Sequence, residues 1–392
     1  MVLLDGIHSV GVQNPKLRIF DIIMQTPHGT SYNAYLVQGS GKTALVEVVK
    51  EGFFDEYVRN VEQVMPIGEV DYLVVSHTEP DHAGTIHRLL ERNPGLQLVG
   101  TSSAMNFTRQ ILNRDFDGRI VKKGDTLDLG NRTLTFYPMP NLHWPDTMFT
   151  YDSLSRGLFT CDFLGSHNSF EPLLVSKYPD KGEYLKSLEA YWYDIMAPFA
   201  QPYVLDGIQA VRELNPSMVL TGHGAVLDEL ITEACDLYER LSQKPAKSGS
   251  HVAVVYVSAY GYTRKLAETI ADELHKAGRT VSAFELTEEN KAEVLREIDN
   301  ADAALFGSPT FVNDMLQPIG ELLSALHPFS IKGKLCSAFG SFGWSGEAIG
   351  NIVGRLEHLR AHTVPGYKVR LNPSDEELEG AREFARGFSA AM

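Results

Sequence analysis

The sequence predicts an α/β protein built from two domains. Its 392 residues exceed the roughly 100–200 residues that one domain usually takes. Short apolar runs alternate with amphipathic segments along the chain, which is typical of strands and helices in α/β folds. Residues 242–250 contain Pro, Gly and Ser without apolar periodicity, which indicates a linker. We therefore expect a domain over residues 1–243, a linker over 244–250 and a second domain over 251–392.

The composition excludes several classes of protein. With 43% hydrophobic and 22% charged residues, the chain lies near the globular average, so extensive disorder is excluded. A formal charge of −15 without any basic run argues against nucleic-acid binding. No apolar run reaches the roughly 18 residues of a membrane span, and we expect no secretion signal and no membrane partner. The three cysteines form no CxxC pair, which favours reduced thiols in the cytoplasm.

For the first domain, the sequence predicts a mixture of strands, hairpins and helices. Short apolar runs predict strands over residues 34–37, 44–49, 72–76, 96–100 and 133–138. Apolar residues at helical spacing predict helices over residues 55–64, 84–92 and 102–113. Periodicity alone does not fix how these strands are ordered.

The second domain alternates strands and helices more regularly. Residues 251–257 form a β-branched run with little polar alternation, which is typical of a buried parallel strand. A helix follows over 263–276, where Leu266, Ile270 and Leu274 share one face. Further strands over 281–286 and 303–306 enclose a helix over 289–298. A strand, helix and strand in this order predict a doubly wound parallel sheet.

A cluster of possible metal ligands follows the strand at 72–76. His77, Glu79, Asp81 and His82 lie within six residues of one another, and Pro80 stiffens the loop that carries them. The carboxyl ends of strands are where α/β sheets place their functional sites. One His and one acid would suit a polar loop, but this denser set favours a metal site.

Three further candidates each follow an apolar run. His143 lies in the segment 141–146, Asp162 lies near the end of the short apolar segment 159–163, and His223 lies between two glycines. Each is weak alone, since a single polar residue after a strand is usually structural. Together with the first cluster they supply four His, two Asp and one Glu, which is enough for two metals that share a bridging carboxylate.

This ligand order resembles the metallo-β-lactamase-like domain of flavodiiron proteins, also called A-type flavoproteins. Hydrolytic zinc members of that superfamily usually have His where this chain has Glu79, and the added carboxylate favours iron. The resemblance implies a di-iron centre, with one iron bound by His77, Glu79 and His143 and the other by Asp81, His82 and His223. Asp162 would bridge the two irons. Whether His82 binds iron or gives way to water stays open.

Three Gly, Ser and Thr-rich loops with aromatic residues follow strands of the second domain. The first, 258–263, leads into a helix whose N-terminus would attract a phosphate. The other two lie at 307–313 and 339–348 and suit hydrogen bonds and stacking on a flavin ring. The candidate flavin-binding residues are Ser258, Tyr260, Gly261, Tyr262, Thr263, Ser308, Pro309, Thr310, Phe311, Asn313, Ser341, Phe342, Gly343, Trp344, Ser345 and Gly346.

These loops are similar to those of flavodoxin, and the short phosphate loop suits FMN. The whole chain thus resembles a flavodiiron protein without a fused rubredoxin. The resemblance implies an N-terminal metallo-β-lactamase-like αββα sandwich, followed by a flavodoxin-like doubly wound parallel sheet. It also implies a homodimer, or a dimer of dimers, in which one subunit's FMN faces the other's irons.

The expected function is that of an oxidoreductase of an anaerobe's cytoplasm. Reduced FMN and two ferrous ions hold four electrons, the number that O₂ needs to become two waters, whereas two NO molecules need two to become N₂O. The resemblance offers rubredoxin or reduced coenzyme F420 (F420H₂) as the external electron donor. The alternative is a zinc-dependent metallo-β-lactamase-like hydrolase with a flavodoxin-type electron-carrier domain, against which Glu79 argues.

Overall fold

The computed structural model describes residues 1–243 and 249–392. They belong to two compact units, Met1–Gln243 and Lys244–Met392. Residues 244–248 of the expected linker lie outside the described residues. Among the helices that are described, none is both long and apolar enough to cross a bilayer.

The first unit contains two larger β-sheets and two small ribbons. Its strands are, in chain order, β1 (Val2–Leu4), β2 (Ile7–Ser9), β3 (Val12–Asn14), β4 (Ile19–Phe20), β5 (Met24–Gln25), β6 (Thr30–Tyr32), β7 (Tyr35–Gln38), β8 (Thr43–Val46), β9 (Tyr72–Val75), β10 (Gln97–Gly100), β11 (Gly118–Ile120), β12 (Thr126–Asp128), β13 (Thr133–Pro138), β14 (Met148–Asp152), β15 (Gly157–Cys161) and β16 (Met218–Thr221). One sheet has the order β1-β2-β7-β8-β9-β10-β11, and the other has the order β12-β13-β14-β15-β16. The ribbons that pair β3 with β6 and β4 with β5 lie outside both sheets.

Helices cover the outer faces of the two sheets. They are α1 (Phe54–Glu62), α2 (Pro80–Ala83), α3 (Ile86–Arg92), α4 (Ser102–Leu112), α5 (Lys181–Tyr191), α6 (Leu205–Leu214) and α7 (Ile231–Ser242). Shorter 3₁₀ and π turns lie at Glu51–Phe53, Ile67–Glu69, Val175–Lys177, Trp192–Met196, Ala197–Phe199 and Ala200–Val204.

Three buried cores separate these layers. Leu45 belongs to the core beneath α1, α3 and α4, whereas the next residue, Val46, packs between the two sheets. This alternation follows from the two-residue period of a strand, which sends successive side chains to opposite faces. A third core joins Leu158 and Val219 of the second sheet to α5, α6 and α7. The first unit is therefore the αββα sandwich that the sequence predicts.

Two predicted elements of this unit have different bounds in the structure. The strand expected over 44–49 ends at Val46, because Glu47 has a left-handed backbone with φ of 67° that cannot continue a strand. The helix expected over 84–92 begins at Ile86 and follows the separate turn α2. Both deviations lie beside the predicted metal ligands.

The second unit contains one parallel sheet flanked by helices. Its strands are β17 (His251–Tyr256), β18 (Thr280–Glu285), β19 (Ala303–Gly307), β20 (Thr310–Phe311), β21 (Asp314–Met315), β22 (Leu335–Phe342), β23 (His362–Thr363) and β24 (Tyr367–Arg370). Its helices are α8 (Tyr262–Lys276), α9 (Lys291–Asn300), α10 (Gln317–Ala325), α11 (Pro328–Ile331), α12 (Glu347–His358) and α13 (Asp375–Ala391). The sheet order is β18-β17-β19-β22-β23, and β24 pairs with the end of β22.

The order of this sheet reverses between β17 and β19, and all its pairings are parallel. Val255 and Phe306 pack on the α9, α10 and α12 side, while Val254 and Leu305 pack on the α8 and α13 side. This confirms the doubly wound, flavodoxin-like fold. Ligands of such sheets bind at the carboxyl ends of the strands, where the strand order reverses.

Candidate functional site

The predicted metal ligands lie at one edge of the sandwich, where the two sheets meet. Glu79 is the N-cap of α2, and Pro80 is the first residue of that helix. The fixed φ of proline suits this position. The amide of Met148, at the start of β14, donates to the carbonyl of Ser76 after β9 at 2.8 Å. This contact joins the sheets beside His77. The edge also carries His143 after β13, Asp162 after β15 and His223 after β16.

An outer cluster consists of His77, Glu79, His143 and the Oδ2 atom of Asp162. The Nε2 atoms of His77 and His143 lie 3.2 and 3.1 Å from Oε2 of Glu79. The same two nitrogens lie 3.4 and 3.0 Å from Oδ2 of Asp162. One atom of each residue therefore points at a common position.

An inner cluster consists of Asp81, His82, His223 and the Oδ1 atom of Asp162. Nε2 of His82 lies 3.2 Å from Nε2 of His223 and 3.0 Å from Oδ1 of Asp162. Oδ2 of Asp81 lies 3.2 Å from Nε2 of His223. Asp162 thus turns one carboxylate oxygen to each cluster. The structure brings together all seven residues singled out in the sequence.

The three loops of the second unit also lie side by side. They hold the residues Ser258, Tyr260, Gly261, Tyr262 and Thr263 after β17, Ser308, Pro309, Thr310, Phe311 and Asn313 after β19, and Ser341, Phe342, Gly343, Trp344, Ser345 and Gly346 at the end of β22. The expectation that residues 339–348 form a loop is wrong in part, since β22 continues to Phe342.

Contacts between these loops define a cradle with exposed aromatic rings. The hydroxyls of Thr263 and Ser341 are 3.0 Å apart. The rings of Tyr260 and Phe311 are stacked, with centroids 6.3 Å apart. Tyr260 and Trp344 are 76% and 79% exposed, although rings of this size are usually buried. At the N-terminus of α8, Gly261 has φ of 84°, and the side chain of Ser258 accepts from the amide of Arg264 in the first turn. The cradle therefore offers a helix end suited to a phosphate and rings suited to a planar ligand.

Comparison with known proteins identifies the family. The family model described as ODP family beta lactamase matches residues 30–224, and the flavodoxin model matches residues 254–384. A flavo-diiron protein of Clostridium acetobutylicum is 37% identical over 395 residues, which covers 99% of this chain and 98% of that protein. The chain belongs to the flavodiiron protein family.

Two further proteins match over almost their whole length. A protein named nitric oxide reductase from Moorella thermoacetica is 33% identical over 398 residues, covering 100% of this chain and 98% of that protein. The solved structure of rubredoxin oxygen:oxidoreductase from the anaerobe Desulfovibrio gigas has 29% identity and a TM-score of 0.76, covering 100% of this chain and 98% of that one. The family, the fold class and the oxidoreductase class expected from the sequence are thereby confirmed.

The two clusters fit the pair of metal ions that the flavodiiron family name implies. Donor atoms about 2.0–2.2 Å from a metal ion lie about 3.0–3.6 Å apart when they occupy neighbouring positions, and both clusters have that spacing. Both carboxylate oxygens of Asp81 and Oδ1 of Asp162 are buried and make no well-aligned hydrogen bond among the described residues, although imidazole nitrogens lie 3.2 and 3.0 Å from Oδ2 of Asp81 and Oδ1 of Asp162. Buried oxygens without partners are costly unless a cation compensates them. Mixed carboxylate and imidazole donors are suited to iron.

The electrostatics of the flavodiiron clusters also favour cations. Burial opposes protonation of His82, yet the carboxylates of Asp81, Asp162 and Glu47 raise its pKa to about 10. Burial likewise opposes ionisation of Asp162, but the neighbouring imidazoles, first among them His82, hold its pKa well below the usual value. The carboxylates therefore create a negative potential at His82, and Asp162 stays ionised among the imidazoles.

Sequence reasoning missed three groups that contact the far nitrogens of the ligand histidines. Nδ1 of His223 lies 2.6 Å from the carbonyl oxygen of Ser31. Nδ1 of His77 lies 3.7 Å from Oδ1 of Asp146, and Nδ1 of His82 lies 3.5 Å from Oε2 of Glu47. An acid inside the apolar run 44–49 was a usable signal for Glu47. The Ser31 carbonyl leaves no signal in a sequence.

The two clusters differ in exposure. The side chains of Glu79 and His143 are 18% and 15% exposed, whereas those of His82 and Asp81 are 0% and 5% exposed. On the inner side, the rings of Phe20, His167 and Tyr191 lie with centroids 5.5, 5.3 and 6.3 Å from that of His223. The opening thus lies beside the outer cluster, and an aromatic wall encloses the inner one.

Proposed function

We propose that this flavodiiron protein reduces O₂ to water or NO to N₂O at a di-iron centre that receives electrons from FMN. The observation that carries the proposal is the position of Asp162, whose two oxygens point into two complete clusters of donors. A shared carboxylate of this kind holds two metal ions close enough to act on one small molecule. The names of the relatives include a nitric oxide reductase and an oxygen oxidoreductase. They are consistent with either gas as the substrate and do not distinguish between the two.

In this proposal His77, Glu79 and His143 would hold one iron, Asp81, His82 and His223 would hold the other, and Asp162 would offer one carboxylate oxygen to each. When bound, two ferrous ions and reduced FMN supply the four electrons that O₂ needs, or the two that a pair of NO molecules needs. The protein holds the donors in place and limits water at the inner cluster through the wall of Phe20, His167 and Tyr191. Excluding water strengthens electrostatic interactions within such a site.

The proposed FMN would lie in the cradle at the ends of β17, β19 and β22. The hydroxyls of Ser258 and Thr263 and the N-terminus of α8 suit its phosphate. The exposed rings of Tyr260 and Trp344 suit its flavin ring. We propose the loop residues given above as its contacts.

The proposal includes an external electron donor, either a rubredoxin or F420H₂, and a homodimer or dimer of dimers. All three cysteines are buried and unpaired, and the chain has no CxxC pair, so it lacks the thiolate set of an iron–sulfur domain of its own. Unpaired cysteines are also compatible with a cytoplasmic location.

Metal and flavin content, followed by gas consumption, tests the proposal. We expect two irons and one FMN per chain, a dimeric or tetrameric mass, and rapid consumption of O₂ or NO by the anaerobically reduced protein. The substitution Asp162→Asn should lower that rate about 100-fold, because it weakens both clusters. The matched control is Asp115→Asn, since Asp115 is fully exposed.

Two outcomes would contradict this function. An iron- and FMN-loaded protein that consumes neither gas when reduced would exclude it. Zinc in place of iron, together with hydrolysis of an ester or lactam, would support the hydrolase alternative instead.

A further inference from the structure

Glu47 is a buried acid that the proposed reaction leaves without a role. It directly follows β8 and is 2% exposed. Its left-handed backbone, with φ of 67°, is uncommon for a residue other than glycine, and such strained conformations concentrate at functional sites. A carboxylate held in this way needs an explanation, because burying an unpaired charge is costly.

The two carboxylate oxygens of Glu47 have different surroundings. Oε1 accepts a hydrogen bond from the amide of Ser76 at 3.1 Å, which fixes the side chain beside the loop of the metal ligands. Oε2 has no hydrogen-bond partner among the described residues and faces Nδ1 of His82 at 3.5 Å. That nitrogen also lacks a hydrogen-bond partner there. The pair therefore consists of two buried, otherwise unpartnered groups that face each other.

The backbone around Glu47 keeps this pair together. The amide of Val48 donates to the carbonyl of His82 at 3.3 Å, and the amide of Glu47 donates to the carbonyl of Val74 at 3.1 Å. The hydroxyl of Tyr57 donates to the carbonyl of Glu47 at 3.4 Å. Glu47 and His82 are thus attached to each other through both main chain and side chain.

We propose that Glu47 is a positioning residue that holds the His82 ring with Nε2 turned into the inner cluster. A carboxylate on the far nitrogen of a ligand histidine fixes the ring's tautomer and orientation and raises its basicity. His82 therefore stays among the ligands of the inner metal ion instead of turning away. The inference rests on the proposed function, because it takes His82 as a ligand of the inner metal ion. It adds Glu47 as the residue that holds His82 in place.

Cobalt(II) titration of the metal-depleted full chain tests this inference without measuring catalysis. We expect the wild-type protein to bind two ions and Glu47→Gln to bind the inner ion 10–100-fold more weakly. Glu62→Gln is the matched control, because Glu62 is exposed on α1 and should leave both affinities unchanged. The far-UV circular dichroism of each variant reports whether it folds.

A double-mutant comparison separates positioning from a general structural role. If Glu47 acts through His82, Glu47→Gln should cause no further loss of affinity in a His82→Asn background. An equal loss in both backgrounds would overturn the inference, as would wild-type affinity in Glu47→Gln.

A thiolate-to-cobalt charge-transfer band would also overturn the inference. Cys161 lies within reach of Glu47 and His82, and such a band would mean that these three residues form a metal site themselves. If the wild-type chain binds no cobalt at all, the proposed function fails as well.

Discussion

Gly222 shows how a single residue without a side chain shapes the inner cluster. It lies between β16 and His223, where the chain passes close to two proposed ligands. A Cβ atom at this position would be 2.8 Å from Cε1 of His82 and 3.2 Å from Oδ1 of Asp162. The shorter contact lies well inside van der Waals distance, so glycine is required by close approach.

We expect Gly222→Ala to weaken binding of the inner metal ion about tenfold or more, because the added methyl group displaces His82 or Asp162. Isothermal titration with ferrous or cobalt ions under anaerobic conditions measures this. Gly52→Ala is the control, since a Cβ atom there meets no atom within 4 Å. Equal affinity in the two variants would contradict the steric argument.

At the scale of elements, helix α8 carries the proposed phosphate site at its first turn. Thr263 is buried in this turn, and its hydroxyl lies 3.0 Å from that of Ser341. The side-chain oxygen of Ser258 accepts from the amide of Arg264 at 3.1 Å. The strand ends thus hold both hydroxyls at the positive end of the helix dipole, which favours an anion.

The substitution Thr263→Val should weaken FMN binding about 10–100-fold, since a hydrogen bond to a charged group contributes about 1.5–3 kcal/mol. Quenching of flavin fluorescence during titration of the flavin-depleted protein gives the dissociation constant. Thr269→Val serves as the control on the same helix, because the Thr269 hydroxyl donates only to the carbonyl of Lys265. Unchanged FMN affinity in Thr263→Val would place the phosphate elsewhere.

At the scale of the molecule, each unit has buried cores of its own. In the first, one core lies between the sheets and two lie beneath the helices. In the second, the cores lie on the two faces of the parallel sheet. Units with separate cores can unfold separately, so a single melting temperature need not describe the whole chain.

We therefore expect two calorimetric transitions whose response to ligands differs. Metal ions should raise the transition temperature of the first unit only, and FMN should raise that of the second unit only. A ligand at 100 times its dissociation constant stabilises its unit by about 2.7 kcal/mol. Scans of the protein without ligands, with metal alone and with FMN alone measure these shifts. One shared transition that moves with either ligand would show that the units unfold as one.

The sequence predicts much of this structure, and the exceptions have physical causes. The short apolar runs at 72–76 and 133–138 and the buried run at 251–257 predict strands close to β9, β13 and β17. The end of β8 at Val46 was missed, because the strain at Glu47 is compensated by contacts with distant residues. The carbonyl of Ser31 that faces His223 could not be found, because every residue has a carbonyl and only the fold selects this one.

Because the outer cluster is more exposed than the inner one, a molecule that enters the site meets the two clusters in a fixed order. A molecule that arrives from solvent passes Glu79 and His143 first, and it reaches the histidines of the inner cluster only after it has met the outer one. Steric access to the inner histidines would then be decided at Glu79 and His143, before an incoming molecule touches the inner cluster.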